Sequence, residues 1–80
     1  MLKEKIKIDN ELDFNNIKNK LKSTFYNFTF NEIDGLKIEN NSSWIHVRKS
    51  NTEPIIRIYI ESKNKQDSKA LFETVKRALI

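Results

Sequence analysis

The segment that decides the fold is Ile55–Glu61, which has the sequence IIRIYIE. Its isoleucines at even positions alternate with Arg57, Tyr59 and Glu61. Because successive side chains of a strand point to opposite faces, this alternation predicts a strand with one apolar and one polar face. The β-branched residues favour the same structure. An apolar strand face needs a second layer of structure to cover it.

Shorter strand patterns occur on the N-terminal side of this segment. The candidate strands are Lys5–Ile8, Phe28–Asn31, Leu36–Glu39 and Trp44–Arg48. Asp34-Gly35 predicts a tight hairpin turn, in which both residues tolerate a positive φ. Residues 40–43 read NNSS and predict a polar turn between the next two strands.

Two segments have the spacing of amphipathic helices. The first is predicted to begin after Asp13, whose carboxylate can cap it, and to end near Ser23. Leu12 and Ile17 are placed to form a hydrophobic staple across that cap. The second helix is predicted to begin after Asn64 as its cap and to bury one apolar stripe. The order β-α-β-β-β-β-α predicts an α+β two-layer sandwich with a mainly antiparallel sheet.

Composition narrows the class of protein. The 80 residues are 38% hydrophobic and 32% charged, which indicates one domain, residues 1–80, rather than a disordered tail. No run is apolar enough to span a bilayer, and we expect no membrane partner and no secretory leader. The absence of cysteine excludes disulfides and favours a reducing, cytoplasmic location. The single glycine excludes a Gly-rich nucleotide-binding loop.

The segment Arg48–Pro54 has a composition that can bind an anion. It contains two hydroxyl residues and an amide, and Arg57 follows in the next strand. The forked guanidinium of arginine binds phosphate oxygens with two hydrogen bonds, whereas lysine acts as a point charge. If the strand alternation holds, Arg48 and Arg57 both project from the polar face beside this loop. The same composition is also common in ordinary turns.

The net charge of +4 leaves other functions open. A basic nucleic-acid-binding module could use Trp44 and Tyr59 to stack on bases. Against this, the lysines are scattered along the sequence. An interaction domain in which the loop is only a turn is a third possibility. His46, the single histidine, has no second metal ligand near it in sequence and is interpreted as a surface or domain-contact residue.

The stretch Ile33–Glu61 closely resembles the C-terminal domain of the α-D-phosphohexomutases, the phosphomannomutase/phosphoglucomutase family. The family pattern combines an Asp-Gly turn, a strand that begins with Trp, an R-x-S-[NG]-T-E-P loop and an Arg-containing strand. Asp34-Gly35, Trp44, Arg48–Pro54 and Arg57 satisfy each part. The resemblance implies a four-stranded antiparallel sheet with two helices on one face, similar to the TATA-binding-protein fold.

The resemblance also implies a function. This is the last of four domains in the family, and its loop binds the phosphate that is not being transferred. The substrate-phosphate contacts it implies are Arg48, Ser50, Asn51, Thr52 and Arg57. The parent reaction would move a phosphoryl group between C1 and C6 of a phosphorylated hexose. Mannose, glucose and glucosamine forms all remain open.

The rest of the family's catalytic machinery has no counterpart in this sequence. It contains no phosphoserine loop of the serine-histidine type, no aspartate-rich Mg²⁺ loop and no sugar-reading loop. We therefore expect no catalytic residue, metal ligand or cofactor in this domain. Mg²⁺ is expected in the full-length enzyme. The expected partners of this domain are a phosphorylated hexose and the other domains of that enzyme. We expect no nucleic-acid partner.

Overall fold

The computed structural model describes residues 1–8 and 13–79. Their order along the chain is β1, α1, β2, β3, β4, β5, α2. The strands are β1 (Leu2–Lys7), β2 (Thr29–Asn31), β3 (Leu36–Glu39), β4 (Trp44–Lys49) and β5 (Ile55–Glu61). The helices are α1 (Phe14–Thr24) and α2 (Lys65–Leu79). Neither helix is long and apolar enough to cross a bilayer.

The strands form one antiparallel sheet in the order β1-β5-β4-β3-β2. The predicted α+β class is confirmed, but the sheet has five strands rather than four. Both short outer segments find partners: β1 pairs along most of β5, and β2 pairs over three residues with β3. β1 also begins earlier than predicted, at Leu2, because the whole segment lies against β5.

One face of the sheet carries the core. The inward residues of the three central strands are fully buried, and they form one cluster with Ile17 and Leu21 of α1 and Val75 of α2. The inward strand residues are Leu36, Ile38, Ile45, Val47, Ile56, Ile58 and Ile60. Both helices therefore lie on the same side, and the other face of the sheet stays open.

Side chains cap both helices as predicted. Asp13 accepts a hydrogen bond from the Asn15 amide at 3.1 Å, and Asn64 accepts one from the Asp67 amide at 2.8 Å. Each bond satisfies an amide that the first helical turn leaves without a partner. The proposed staple involves Leu12, which lies outside the described residues.

The connection between β2 and β3 differs from the predicted tight turn. Four residues, 32–35, separate the strands, and among the described residues only Gly35 has a positive φ, at 68°. The two-residue turn was wrong because it requires positive φ at both central positions, and Asp34 does not adopt it. Instead, the side chain of Asn31 accepts a hydrogen bond from the Ile33 amide at 2.9 Å and starts the bend.

The same connection is tied to α1 by charge. Glu32 forms ion pairs with Lys22 and Lys18, the latter at 3.1 Å. Hydrogen bonds from Lys22 and then Lys18 hold the pKa of the Glu32 carboxyl below its ordinary value of 4.5. Residues 32–35 are thus joined to the helical layer at one end and to β4 at the other.

Candidate functional site

The loop between β4 and β5 comprises residues 50–54. Its base is closed by a hydrogen bond from the Ser50 amide to the Ile55 carbonyl at 3.1 Å. The Ser50 side chain is buried, and its hydroxyl oxygen accepts a hydrogen bond from the Thr52 amide at 3.3 Å. The Pro54 carbonyl accepts one from the Ile8 amide at 2.8 Å, which ties the loop to the end of β1. The loop is therefore anchored on both sides.

The outer part of the loop presents donors to solvent. Asn51, Thr52 and Glu53 are exposed. Across residues 1–8 and 13–79, no hydrogen bond engages the amide of Asn51, its side-chain amide or the amide of Glu53. These donors lie next to the buried Ser50 hydroxyl, which fixes the conformation of the loop from inside. Such an arrangement can accept an anion without breaking existing hydrogen bonds.

Two arginines lie beside the loop on the open face. Arg48 of β4 lies directly opposite Arg57 of β5, and both are exposed. Cross-strand neighbours have Cβ atoms about 5 Å apart, and like charges placed there repel each other. A dianion between the two guanidinium groups would remove that repulsion and could accept hydrogen bonds from both.

The end of β4 is held from outside by the Asp34-Gly35 segment. The Asp34 carboxylate lies 3.6 Å from the Nε atom of Arg48, so it engages one edge of the guanidinium. His46 Nε2 donates a hydrogen bond to the Asp34 carbonyl at 2.7 Å. Gly35 packs so tightly that a Cβ atom there would lie 2.4 Å from the Val47 carbonyl oxygen and 3.3 Å from Cγ of Arg48. This segment therefore helps to set the position of Arg48.

The topology gathers cations that are scattered in the sequence. The register places Lys5 opposite Arg57, and Arg57 opposite Arg48, in one row across three strands. A neighbouring row begins with Lys3, opposite Tyr59, and continues to His46. The open face is thus markedly basic near the loop, which composition alone did not indicate.

The predicted site residues divide into two groups. Arg48, Asn51, Thr52 and Arg57 are exposed at one corner of the open face, whereas Ser50 is buried and bonded within the loop. The assignment of all five to phosphate binding stays a prediction.

Sequence reasoning missed the contact between Asp34 and Arg48. The Asp-Gly pair was interpreted as a turn and as part of the family pattern, without a role beside Arg48. It also missed the position of Lys5 beside Arg57, because local patterns do not specify which strand an edge strand joins. Within the described part of the chain, no three acidic, histidine or cysteine residues meet as metal ligands would.

Comparison with known proteins identifies the family. The profile of the phosphoglucomutase/phosphomannomutase C-terminal domain matches residues 2–78. The chain belongs to this family. A probable phosphoglucosamine mutase of Pyrococcus furiosus is 39% identical over 75 residues, which cover 90% of this chain and 17% of that protein.

Two further mutases also match this chain. A probable phosphoglucosamine mutase of Methanobrevibacter smithii is 41% identical over 61 residues, or 74% of this chain and 14% of that protein. A phosphomannomutase of Methanocaldococcus jannaschii is 32% identical over 63 residues, or 79% of this chain and 14% of that protein. The chain therefore corresponds to a small part of each mutase that it matches.

Proposed function

We propose that this chain, as one domain, binds the phosphate that a phosphohexomutase does not transfer, and so orients the hexose for phosphoryl transfer between C1 and C6. The observation that carries the proposal is the pair of opposed arginines, Arg48 and Arg57, beside a loop whose outer donors have no partner in the described part of the chain. The domain supplies positioning, which can account for a large share of the barrier in such reactions. It is not catalytic by itself.

Each loop residue has a role in this proposal. Arg48 and Arg57 clamp the phosphate from two sides, and the outer donors of Asn51 and Thr52 contact its remaining oxygens. Ser50 contributes its hydroxyl from the base of the loop, where it already orients Thr52. Asp34 holds the Nε edge of Arg48, which leaves the terminal nitrogens of the guanidinium available to the ligand.

The ligand is recognised by its phosphate rather than by its sugar. The relatives named above carry the names of glucosamine and mannose phosphate mutases, although each shares this domain. Because the loop contacts the phosphate in this proposal, we expect glucosamine 6-phosphate, mannose 6-phosphate and glucose 6-phosphate to bind the chain with affinities within about threefold of one another. Such a spread is a difference in binding free energy well below the 1.4 kcal/mol that corresponds to tenfold.

The remaining steps belong to other domains of the parent enzyme in this proposal. Mg²⁺, which the family implies for the full-length enzyme, does not fit the donor set of the described residues, since no three metal-ligating side chains meet there. The phosphoserine and sugar-reading groups are assigned to those other domains as well. We also propose that the parent enzyme acts in carbohydrate metabolism in the cytoplasm.

The test is a titration of the chain with glucose 6-phosphate, followed by amide NMR. We expect selective shifts at residues 50–52 and a dissociation constant near 1 mM, since one charge-assisted cluster contributes only a few kcal/mol in water. Arg48→Ala should weaken binding about tenfold without lowering the melting temperature. Arg48→Lys keeps the charge but not the forked guanidinium, so its loss of affinity should be smaller than that of Arg48→Ala but still measurable.

The matched control is Arg77→Ala, which removes the same charge from the last turn of α2. It should leave binding unchanged. If Arg48→Ala and Arg77→Ala bind the sugar phosphate as well as the wild type does, the loop is only a turn and the proposal fails.

A nucleic-acid-binding module is the second candidate, favoured by the basic rows beside Trp44 and Tyr59 on the open face. A parallel titration with a short single-stranded RNA separates the two. Shifts spread over Trp44, Tyr59 and the lysines of β1, at lower concentration than for the sugar phosphate, would favour nucleic acid.

A further inference from the structure

Asp34 is held at two points by side chains of β4. His46 Nε2 lies 2.7 Å from the Asp34 carbonyl oxygen, and the Asp34 carboxylate lies 3.6 Å from the Nε atom of Arg48. A carbonyl oxygen can only accept a hydrogen bond, so His46 is the donor. His46 and Arg48 are two residues apart on one strand, and both therefore project from the open face. The backbone and the side chain of Asp34 are thus fixed to the same strand.

The contact between Asp34 and Arg48 is a weak constraint by itself. Their side chains are 64% and 51% exposed, respectively. Ion pairs in water contribute little, because the solvent screens the charges and both side chains lose rotamer freedom on pairing. The hydrogen bond from His46 reduces that loss, because it fixes the backbone from which the carboxylate projects. The orientation of Arg48 therefore depends on His46, which does not contact it in this way itself.

Arg57 has no comparable support within residues 1–8 and 13–79. Its cross-strand neighbours are Lys5 and Arg48, whose side chains offer no hydrogen-bond acceptor. No carboxylate oxygen in those residues lies within 4.0 Å of its charged nitrogens. The two arginines beside the loop carry the same charge, but only Arg48 has an acidic partner that orients its guanidinium.

We propose that His46 is a positioning residue for the loop site. It holds Asp34 in place, and Asp34 engages the Nε edge of Arg48, which leaves the fork of two terminal nitrogens for the phosphate. Arg48 then supplies geometry as well as charge, whereas Arg57 acts mainly through its charge. The inference rests on the proposed function of the loop, and it gives His46 a role in phosphate binding without contact with the ligand.

The first test is a titration of single variants with glucose 6-phosphate. His46→Leu removes the donor and should weaken binding about fourfold, as should Arg48→Lys, which keeps the charge but not the fork. Arg57→Lys should cost less than about twofold, because charge is what Arg57 contributes. His46→Gln is the matched control: its side-chain amide can still donate to the Asp34 carbonyl, and its affinity should stay within about twofold of the wild type.

A double variant and a spectrum separate positioning from a general structural role. If His46 acts through Arg48, His46→Leu/Arg48→Lys should lose about fourfold in affinity, rather than the roughly sixteenfold expected of independent residues. In the ligand-free chain, the ¹⁵N-resolved Nε–H signal of Arg48 should broaden in His46→Leu and stay sharp in His46→Gln. The melting temperature of His46→Leu should stay within about 2 °C of the wild type, because this bond lies outside the core.

The possible failures are distinguishable. If glucose 6-phosphate binds His46→Leu as tightly as it binds the wild type, the positioning role is excluded while the proposed function stands. A sixteenfold loss in the double variant would exclude it too, as would equal losses in His46→Leu and His46→Gln, which would mean that the ring acts through its shape. If glucose 6-phosphate does not bind the wild type, the loop function and the role of His46 fail together.

Discussion

Two polar connections of similar composition flank β4, and they are built in opposite ways. In residues 40–43, between β3 and β4, the Asn40 side chain accepts hydrogen bonds from the amides of Ser42 and Ser43 at 2.9 and 2.8 Å. The hydroxyl of Ser43 donates to the same oxygen at 3.0 Å. This turn is held by its own first residue, whose side-chain oxygen binds the amides of both serines.

The loop of residues 50–54 has several donors with no hydrogen-bond partner among residues 1–8 and 13–79, and it depends on its neighbours. Ile8 binds the Pro54 carbonyl, and Asp34 and Gly35 confine Arg48 at its base. A connection that only reverses the chain gains by satisfying its own polar groups. A loop that must bind an anion gains by keeping donors available on a fixed backbone, which neighbouring segments then have to support.

Gly35→Ala should produce the largest effect, because it breaks the external support of the loop. A side chain at a positive φ costs about 1–2 kcal/mol, and the new Cβ would also lie 2.4 Å from the Val47 carbonyl oxygen. We expect a loss of about 2 kcal/mol in the free energy of unfolding and a decrease of about 10 °C in melting temperature. Phosphate binding should weaken as well, because Arg48 must move.

Gly35→Asn is the informative companion variant. Asparagine tolerates a positive φ better than alanine does, but it carries the same Cβ. If the contact with β4 matters most, Gly35→Asn should melt nearly as low as Gly35→Ala. Melting of both variants within about 2 °C of the wild type, a shift equivalent to well under 1 kcal/mol, would show that the segment does not confine β4.

The sequence predicted the covered face of the sheet better than the open one. The alternation in Ile55–Glu61 was sufficient, because burying isoleucine on one face dominates the energy of the strand. Both helix caps were also predictable, since Asp13 and Asn64 satisfy amides within their own first turns. Each of these features depends on neighbours in the sequence.

The arrangement of the open face depends on pairing between distant segments. Nothing local to Lys5 indicates that it lies beside Arg57, because that register is set by the core side of β1 and β5. Similarly, Asp34 and Arg48 meet only because β3 and β4 pair and Gly35 allows close approach. The loop itself was recognised from its motif, whereas composition alone did not separate it from the turn at residues 40–43.

A pair of alanine variants tests the comparison between the two connections. Asn40→Ala removes an acceptor that serves two backbone amides, and we expect a loss of about 1–2 kcal/mol in the free energy of unfolding with sugar-phosphate binding unchanged. Asn51→Ala removes an exposed side chain that has no hydrogen-bond partner among the described residues. It should leave stability within about 0.5 kcal/mol of the wild type and weaken sugar-phosphate binding about threefold.

Urea unfolding and NMR titration of both variants provide the two measurements. The opposite pattern, in which Asn51→Ala destabilises the fold and Asn40→Ala weakens binding, would contradict the distinction between a self-satisfied turn and an open loop. Ser50→Ala should show both effects, because its hydroxyl is buried and holds the Thr52 amide.

Glu32 gives the smallest expected effect, and it tests how firmly residues 32–35 are held to α1. Its carboxyl has a lowered pKa in the folded chain, owing first to Lys22 and then to Lys18. The charged form therefore stabilises the fold above the ordinary pKa of 4.5, and this contribution is lost as the pH falls through the lower folded pKa. Glu32→Gln should lower the melting temperature slightly at pH 7, and the difference from the wild type should vanish in acid.

The double variant Lys18→Gln/Lys22→Gln supplies the control for this prediction. In that background Glu32 has lost both cations that lower its pKa, so Glu32→Gln should have little effect at any pH. A melting-temperature difference at pH 7 that persists unchanged at pH 3 would mean that Glu32 acts through packing or turn geometry. The ion pairs would then not be what fastens the Asp34-Gly35 segment, and hence the base of Arg48, to the helical layer.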